Sequence, residues 1–506
     1  MNQRSASLFF SVFVLAGALF AQQSEQGLPN YLGPQFGPAK HPSPVPAPVS
    51  PASVDQPVEL LRHWNMIAID ATGLDHTPPG PNENRVFGEQ LGPTRASRAM
   101  AIIHIAIFDA VNSIAGGYES YTHIPPAKRG ASMSAAIMQA AHDTLVAMFP
   151  SQTPAFDTEL TNELSQIPAG KDKANGIATG ARAASAILAM RQNDGSEKPE
   201  PRLGVDFFTK DAPGKWRQDP ISQSPIALGA YWGSVRPFVI KSGKQFRAPA
   251  PPDLTSPEYA DAYNEAKLVG GTSPTPTIRT TDQTDIGTFW AYDGTPSLCA
   301  PPRLYNQLTM HMADQLQTSK DVVSLARLLA IMNTSLADTA ITVWESKFYY
   351  QFWRPVTGIR ESDKGTGPTG KGDGNPATIG DTTFTPLGAP ASNLTGPNFT
   401  PPFPSYPSGH GGFGGALFQS LRNFYKKDAI PFTFTSDEFN GVTRDDNGNI
   451  RPLMPRSFSS FSQAEEENGQ SRIYLGIHWS FDKTQAIIQG RAVANYVFTH
   501  AFQPRH

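Results

Sequence analysis

Apolar residues recur at helical spacing over most of the chain after its N-terminal tenth. Residues 97–113 place Met100, Ile103 and Ile107 on one broad apolar face, and residues 321–352 carry a longer face of the same kind. Alternating apolar and polar runs, which are typical of half-buried strands, are nearly absent. The pattern predicts an all-α fold of helical bundles, in two four-helix-bundle-like halves with long irregular loops.

The predicted N-terminal helical half covers residues 56–270, and the C-terminal half covers residues 271–506. Two segments, residues 199–252 and 363–400, lack a clear period and are rich in proline and glycine. We expect the first to pack irregularly over the helices. The second is long enough to be a functional or mobile loop.

The start of the chain does not share the helical pattern. A basic residue precedes an apolar run at residues 8–16, which predicts a signal peptide over residues 1–21, cleaved after Ala21. The run is too short for a comfortable membrane span, which disfavours an uncleaved anchor. Residues 22–55 are dominated by proline and small residues and predict a disordered tether. We therefore expect a secreted or periplasmic protein with no stable membrane span after cleavage.

The net charge and the cysteine content exclude some binding partners and some kinds of covalent stabilisation. The chain of 506 residues has a net charge of −3, which gives no electrostatic case for binding nucleic acid. Cys299 is the only cysteine, so an internal disulfide is impossible. Any bound anion must therefore be held by locally concentrated basic residues.

One candidate anion site lies at residues 404–415, where a proline-rich coil leads through Ser408, Gly409 and His410 into further glycines. The preceding prolines favour extended backbone, which predicts that Ser408 is a helix N-cap. A helix start offers free N–H groups and a partial positive charge, both of which suit an anion. The glycines also match a dinucleotide-binding pattern, but no strand precedes them, so we discount that function.

Lys347 and Arg354 form a second candidate. They stand seven residues apart. Two helical turns would separate them, so we expect both side chains to point the same way before Pro355 ends the helix. The alternative is a solvated basic face, but aromatic residues between the two cations would draw them inward. A buried cation requires an anionic partner.

A third candidate lies at residues 471–482. Arg472 stands among apolar residues, and His478 and Asp482 are four residues apart. Asp482 could orient the imidazole or cap the following helix. We expect two other histidines, His104 and His142, to be satisfied core or groove residues of predicted helices and not ligands.

Together these stretches concentrate one lysine, two arginines, a helix start and two histidines in the C-terminal half. Two guanidinium groups and an ammonium balance a multiply charged tetrahedral oxyanion. Each charge-assisted hydrogen bond contributes about 1.5–3 kcal/mol. One histidine can then bond to the central atom while the other transfers protons.

The three stretches resemble a known signature. Lys-x6-Arg-Pro, Pro-Ser-Gly-His and Ser-Arg-x5-His-x3-Asp are shared by the vanadium-dependent haloperoxidases and the phosphatidic acid phosphatase type 2 superfamily. The chain also resembles the fungal-type chloroperoxidase branch at residues 290–294, 301–307 and 352–355. The resemblance extends over residues 282–482.

The resemblance implies roles for individual residues. His478 would be the vanadium ligand, and His410 would be the acid–base residue that assists peroxide. Asp293 would orient this network through an arginine or a histidine. Hydrogen bonds to the vanadate oxygens would come from Lys347, Arg354, Ser408, Gly409 and Arg472. Lys347 would also polarise bound peroxide.

The implied activity is that of a vanadate-dependent haloperoxidase, which oxidises halide with hydrogen peroxide to hypohalous acid that halogenates a small organic substrate. Vanadate would be the cofactor, without haem or flavin. Trp344 and Phe403 match the chloroperoxidase-like pattern and are candidates for the halide pocket, whereas Gly411 and Gly412 replace the fungal Ala-Thr. The alternative is an acid phosphatase of the same superfamily that forms a phosphohistidine at His478.

Overall fold

The computed structural model describes residues 31–37, 54–80 and 82–505. Within these ranges helices dominate, and the regular strands form a two-stranded antiparallel sheet. The prediction of an all-α fold with long irregular loops is confirmed. The signal peptide predicted at residues 1–21 lies outside the described residues.

The described helices fall into an N-terminal and a C-terminal series. The first series comprises α1 (Pro57–Asp75), α2 (Gly92–Ala115), α3 (Met133–Met148), α4 (Thr153–Gln166) and α5 (Lys171–Arg191). The second comprises α6 (Pro257–Val269), α7 (Thr281–Phe289), α8 (Pro301–Gln315), α9 (Val322–Tyr350), α10 (Pro355–Arg360), α11 (Gly409–Tyr425), α12 (Phe461–Tyr474) and α13 (Ser480–His500). Between α11 and α12, β1 (Phe432–Phe434) pairs with β2 (Arg456–Phe458).

Helix α9 connects the two series. Asp321 caps its start by accepting a hydrogen bond from the Ser324 N–H at 2.6 Å. Its buried residues pack against α2 on one side and against α11 and α13 on another. Among the described helices, α2 is long and apolar enough to cross a membrane, but it is mostly buried, as expected of a core helix. One hydrophobic core therefore runs through both predicted halves.

Helix α6 falls within the predicted N-terminal half, yet it packs against α10, α12 and α13 of the C-terminal series. Its residues Tyr259 and Tyr263 join a buried aromatic cluster with Trp353, Tyr406 and Trp479. Aromatic packing therefore assigns α6 to the second series, although it precedes the predicted boundary at residue 270.

Residues 31–37 are packed against the protein, so the predicted disordered tether is wrong for this segment. Tyr31, Leu32 and Phe36 are buried. The Gly37 N–H donates a hydrogen bond to the Thr395 carbonyl at 2.8 Å. The proline and glycine content of this region indicated a tether, although its apolar residues pack against the folded domain.

The predicted helical link between Lys347 and Arg354 is also wrong. Helix α9 ends at Tyr350, and Gln351 adopts a left-handed backbone with φ 52°. The Gln351 N–H closes this turn on the Lys347 carbonyl at 2.8 Å, and Arg354 lies beyond it, immediately before Pro355 and α10. The two cations converge because the chain turns between them, and not because they share a helix face.

The two histidines expected to be satisfied core or groove residues differ in outcome. His142 Nδ1 lies 2.9 Å from Asp143 Oδ1, and its Nε2 lies 2.8 Å from Asp157 Oδ1, so both ring nitrogens have partners. His104 is fully buried in α2, and within the described residues neither of its ring nitrogens has a hydrogen-bond partner. Burial lowers the pKa of His104 to about 3, so it is accommodated as a neutral ring.

Candidate active site

The three candidate stretches converge at helix ends in the C-terminal series. Lys347 lies in the last turn of α9, Arg354 immediately precedes α10, and Arg472 lies in the last turn of α12. Ser408 precedes α11, and His478 lies in the break between α12 and α13. All five side chains are buried, although four of them are charged or titratable.

Ser408 is the N-cap of α11, which confirms the sequence-based expectation. Its backbone is extended, with φ −65° and ψ 129°, and its hydroxyl oxygen accepts a hydrogen bond from the Gly411 N–H at 3.2 Å. A Cβ atom at Gly412 would lie only 2.8 Å from Val343 Cγ2 on α9. The glycines after His410 therefore fit the close approach of α11 to α9.

Lys347 keeps one donor available for a ligand. Its Nζ donates hydrogen bonds to the carbonyls of Pro404 at 2.8 Å and Ser405 at 2.9 Å. An ammonium has three N–H donors, so one remains after these two bonds. Burial, reinforced by the nearby Arg354 guanidinium, holds the pKa of Lys347 well below its ordinary value.

The two arginines also keep donors open. Arg354 donates from Nε to the Phe403 carbonyl at 3.0 Å and from Nη1 to the Ile477 carbonyl at 2.8 Å. Arg472 donates from Nη2 to Asp293 Oδ1 at 2.6 Å. The remaining Arg354 Nη2, Arg472 Nε and Arg472 Nη1 are buried and have no hydrogen-bond partner among the described residues. Unpaired buried donors are costly, so the arrangement suits a bound anion.

His478 is oriented by Asp482. Its Nδ1 lies 2.7 Å from Asp482 Oδ2, an oxygen that also accepts from the Trp479 N–H at 3.1 Å. Because the carboxylate accepts, Nδ1 carries the proton and Nε2 presents its lone pair, 3.0 Å from Arg354 Nη1. Asp482 thus both orients the imidazole and caps the start of α13, the two roles that the sequence left open.

His410 faces the same pocket in the opposite tautomer. Its Nε2 lies 2.9 Å from the Trp290 carbonyl and 2.5 Å from the Ala291 carbonyl, so Nε2 donates and Nδ1 presents its lone pair. Nδ1 lies 3.8 Å from Asp293 Oδ1. Burial and the Arg472 charge hold the pKa of His410 well below its ordinary value, so the free ring is neutral.

Trp344 and Phe403 form an aromatic wall beside the cations. Their ring centroids lie 4.9 Å apart, and Lys347 Nζ lies 5.0 Å from the Phe403 ring centroid. Trp344 Nε1 donates to the Leu228 carbonyl at 3.0 Å, which fixes the indole. The predicted residues that line the pocket directly are Asp293, Trp344, Phe403, Gly409, His410, Arg472 and His478. Lys347 and Arg354 are buried beside it.

Comparison with known proteins bears on this cluster. Residues 327–506 match the family described as the VCPO second helical-bundle domain. The chain is 28% identical over 530 residues to the vanadium chloroperoxidase of Curvularia inaequalis, a match that covers 88% of this chain and 82% of that protein. Residues 327–506 thus match a domain of the vanadium chloroperoxidases, and the chain is similar to a vanadium chloroperoxidase over most of its length.

Solved structures related to this family share the fold. A bacterial vanadium-dependent iodoperoxidase superposes with a TM-score of 0.68 at 22% identity, covering 90% of this chain and 99% of that one. The apo form of a bacterial vanadium-dependent chloroperoxidase superposes with a TM-score of 0.59 at 15% identity, covering 81% and 94% of the two chains. Both likenesses extend over the N-terminal helices, for which the sequence showed only a helical pattern.

Sequence reasoning missed residues that support this haloperoxidase-like site. The Ser405 hydroxyl donates to the Asp482 carboxylate that holds His478. Ser405 stands beside the Ser-Gly-His motif, so its polarity in an otherwise apolar run was an available signal. Tyr31 and Leu32 line the pocket from the segment predicted to be a tether. No spacing marks these two, because partners such as Gly294, which is 263 positions from Tyr31, are distant in the sequence.

Proposed function

We propose that the protein is a vanadate-dependent haloperoxidase that oxidises halide with hydrogen peroxide to hypohalous acid, which halogenates organic substrates. One observation carries the proposal. His478, whose Nε2 presents a lone pair, lines the same pocket as Arg472, two of whose buried donor nitrogens have no partner among the described residues. A tetrahedral oxyanion whose central atom accepts a nitrogen ligand satisfies both. The named relatives, a vanadium chloroperoxidase among them, support this choice.

The donor set fits vanadate by charge as well as by hydrogen bonding. The carboxylates of Asp293 and Asp482 lie among three buried cationic side chains, and the unpaired guanidinium donors leave room for an added anion. His478 Nε2 would bind the metal. The vanadate oxygens would be held by Lys347, Arg354, Ser408, Gly409 and Arg472. When bound, vanadate supplies a Lewis-acidic centre that activates peroxide toward halide.

His410 is the proposed proton carrier. As a neutral ring with a free Nδ1, it could accept a proton from hydrogen peroxide at that nitrogen and give it up again as a general acid. Asp293, 3.8 Å from Nδ1, favours the transient imidazolium. The carbonyls of Trp290 and Ala291 fix the ring so that Nδ1 is the nitrogen that exchanges the proton.

Lys347 and the aromatic wall have proposed roles toward peroxide and halide. Two carbonyls fix the Lys347 ammonium, and its remaining N–H can polarise an oxygen of bound peroxide. Trp344 and Phe403 present apolar rings beside that ammonium. A halide is a weakly hydrated anion. It can therefore lie between a cation and ring edges at little cost in desolvation free energy.

A phosphatase acting through His478 would use the same oxyanion site, but the relatives do not favour it. To separate the two, purified protein is assayed with and without vanadate. Halogenation of a cyclic dione is followed with peroxide and each of chloride, bromide and iodide, and hydrolysis of an aryl phosphate is measured in parallel. We expect vanadate-dependent halogenation. Phosphatase turnover without halogenation after vanadate loading would contradict the proposal.

We further infer that the protein is exported to the periplasm or the medium, on the basis of the predicted signal peptide. N-terminal sequencing of protein recovered from the periplasm or medium tests this. Cleavage near Ala21 is expected, and recovery of uncleaved chain only in the cytosolic fraction would contradict it.

A further inference from the structure

Residues 31–37, which we call the N-terminal strap, cover one side of the pocket. Tyr31 and Leu32 are only 5% and 2% exposed, and they line the same pocket as His410, Arg472 and His478. The strap precedes α1, whereas the ionic residues come from the C-terminal series. The pocket is therefore completed by a distant part of the chain.

Hydrogen bonds fix the strap at several points along its length. The Tyr31 hydroxyl donates to the carbonyl of Gly294, the residue that follows Asp293. The Tyr31 carbonyl accepts from Ser224 Oγ at 2.5 Å. At the other end, Gln35 Nε2 donates to the Ile221 carbonyl at 2.8 Å, and the Gly37 N–H donates to the Thr395 carbonyl at 2.8 Å. Such anchoring holds Tyr31 and Leu32 in place within the pocket wall.

The strap contributes an uncharged wall to a pocket that the cationic Arg472 also lines. Leu32 is aliphatic, and burial raises the pKa of Tyr31, so its phenol stays neutral. An inorganic oxyanion needs room only beside the guanidinium donors. An oxyanion that carries an organic group must also fit that group into the pocket whose walls Tyr31 and Leu32 help to form.

We propose that the N-terminal strap is a specificity element that favours inorganic oxyanions over oxyanions bearing an organic group, such as phosphate monoesters. The inference rests on the proposed function, because it concerns the same oxyanion site. It also gives this chain a physical means of discriminating between the haloperoxidase cofactor and a phosphatase substrate. Tyr31 and Leu32 act by shape, and no bond-making step is assigned to them.

Two glycines of the strap provide a matched pair of variants. Gly33 has φ 130°, and a Cβ atom there would lie 1.7 Å from the Ser222 carbonyl oxygen, so Gly33→Ala is expected to displace the strap. Gly33 does not itself line the pocket. At Gly37 the nearest atom to an added Cβ is Thr395 Cβ at 4.0 Å, so Gly37→Ala should leave the strap in place.

Binding of inorganic phosphate and of phenylphosphonate, measured by titration calorimetry on vanadate-free full-length protein, tests the proposal. We expect the wild type and Gly37→Ala to prefer phosphate by at least about tenfold, a difference of about 1.4 kcal/mol. In Gly33→Ala the preference should fall to about threefold or less, through stronger phenylphosphonate binding and unchanged phosphate binding. Leu32→Ala, which enlarges the pocket and keeps the anchors, should shift the preference in the same direction.

Equal affinity of the wild type for both probes would overturn the proposal. So would an unchanged preference in folded Gly33→Ala, and if that variant does not fold, an unchanged preference in Leu32→Ala decides against it. The assay requires no halogenation. A wild type that shows the expected preference but does not halogenate would contradict the proposed function and leave the strap assignment standing. A wild type that binds neither probe would contradict the oxyanion site itself.

Discussion

Two buried arginine clusters in this protein differ in whether their hydrogen-bond donors have partners. In the N-terminal series, Arg98 and Arg191 share Asp194, with Nε to Oδ2 distances of 2.8 and 2.9 Å. At the candidate site, Arg354 and Arg472 are buried as deeply, yet several of their donor nitrogens have no partner among the described residues. The first cluster is complete within the chain, and the second keeps donors available for a ligand.

The remaining contacts of the first cluster explain the difference. Arg98 Nη2 donates to the Arg191 carbonyl at 3.1 Å, and Arg191 Nη1 donates to the Pro237 carbonyl at 3.0 Å. Backbone carbonyls there take the donors that Asp194 leaves free. A buried cation is therefore not by itself a sign of a binding site. Unpaired buried donors that share a pocket with an oriented histidine are a much more specific sign.

The largest expected effect is at that histidine. Replacing His478 with alanine should weaken vanadate binding by at least about 100-fold, because even indirect loss of ligand orientation costs about 10–100-fold in metal affinity. Halogenation should be lost with it. Vanadium retained after gel filtration measures the change, and His142→Ala, at a histidine outside the site, is the control. Wild-type retention by His478→Ala would mean that the ligand lies elsewhere.

The second expected effect separates binding from turnover. His410→Ala should lower halogenation by about 10²–10⁴-fold, the usual contribution of a positioned acid–base group. Vanadate retention should stay close to wild type, because the His478 and arginine contacts remain. Steady-state halogenation rates at saturating vanadate measure the first quantity. Unchanged turnover would refute the acid–base role, and lost retention would make His410 part of the binding set.

The third prediction compares the same substitution in the two arginine clusters. Arg354→Met should weaken phosphate binding by about 10–100-fold, because it removes charge-assisted hydrogen bonds worth about 1.5–3 kcal/mol each. The free energy of unfolding of the ligand-free protein should change little, because the substitution removes a buried guanidinium whose desolvation lowers its pKa to about 9, and this offsets the lost contacts. Titration calorimetry and urea unfolding measure the two effects.

Arg98→Met is the matched control for that substitution. It should lower the free energy of unfolding by about 1.5–3 kcal/mol, because it removes a charged partner from buried Asp194. Phosphate affinity should not change. If Arg354→Met destabilised the ligand-free protein as much as Arg98→Met, the distinction between a self-completed and a ligand-completed cluster would fail.

The sequence predicted the fold class and the site residues to different depths and for different reasons. Helical periodicity marked α2 and α9 because their buried faces repeat along the chain. The signature stretches marked Lys347, His410 and His478 because chemistry restricts residue type and spacing there. Which nitrogen of each histidine carries the proton was not predictable, since it depends on Asp482 and on the carbonyls near Trp290.

Other features followed from contacts that leave no local pattern. The strap was wrongly predicted to be a tether because its apolar residues stand among prolines and glycines. Its hydrogen-bond partners Gly294 and Thr395 are also distant in the sequence. The helix break after Tyr350 was missed because a left-handed Gln351, unlike a glycine, carries no compositional signal. By contrast, the break before His478 contains Gly476, whose positive φ of 69° is a conformation that glycine adopts readily.

The smallest expected effect is in the pH dependence of binding, and it tests how the ligand completes the site. In the free protein, burial and Arg354 hold the pKa of Lys347 well below its ordinary value of 10.5. A bound oxyanion favours the ammonium, so phosphate binding should take up a proton in the range where free Lys347 is neutral. Affinity should then fall as pH rises, by no more than about tenfold per pH unit for one coupled proton.

Titration calorimetry at one pH in two buffers of different ionisation enthalpy measures that proton uptake. Lys347→Met should abolish the Lys347 contribution, whereas Lys215→Met, at a lysine outside the site, should not. The same lowered pKa has a second consequence in the ligand-free protein. Because the unfolded chain then binds the proton more tightly than the folded one, the Lys347 contribution to stability should increase with pH up to about 10.5. Saturating phosphate should flatten that slope, because the anion supplies the partner that neither Asp293 nor Asp482 provides in full.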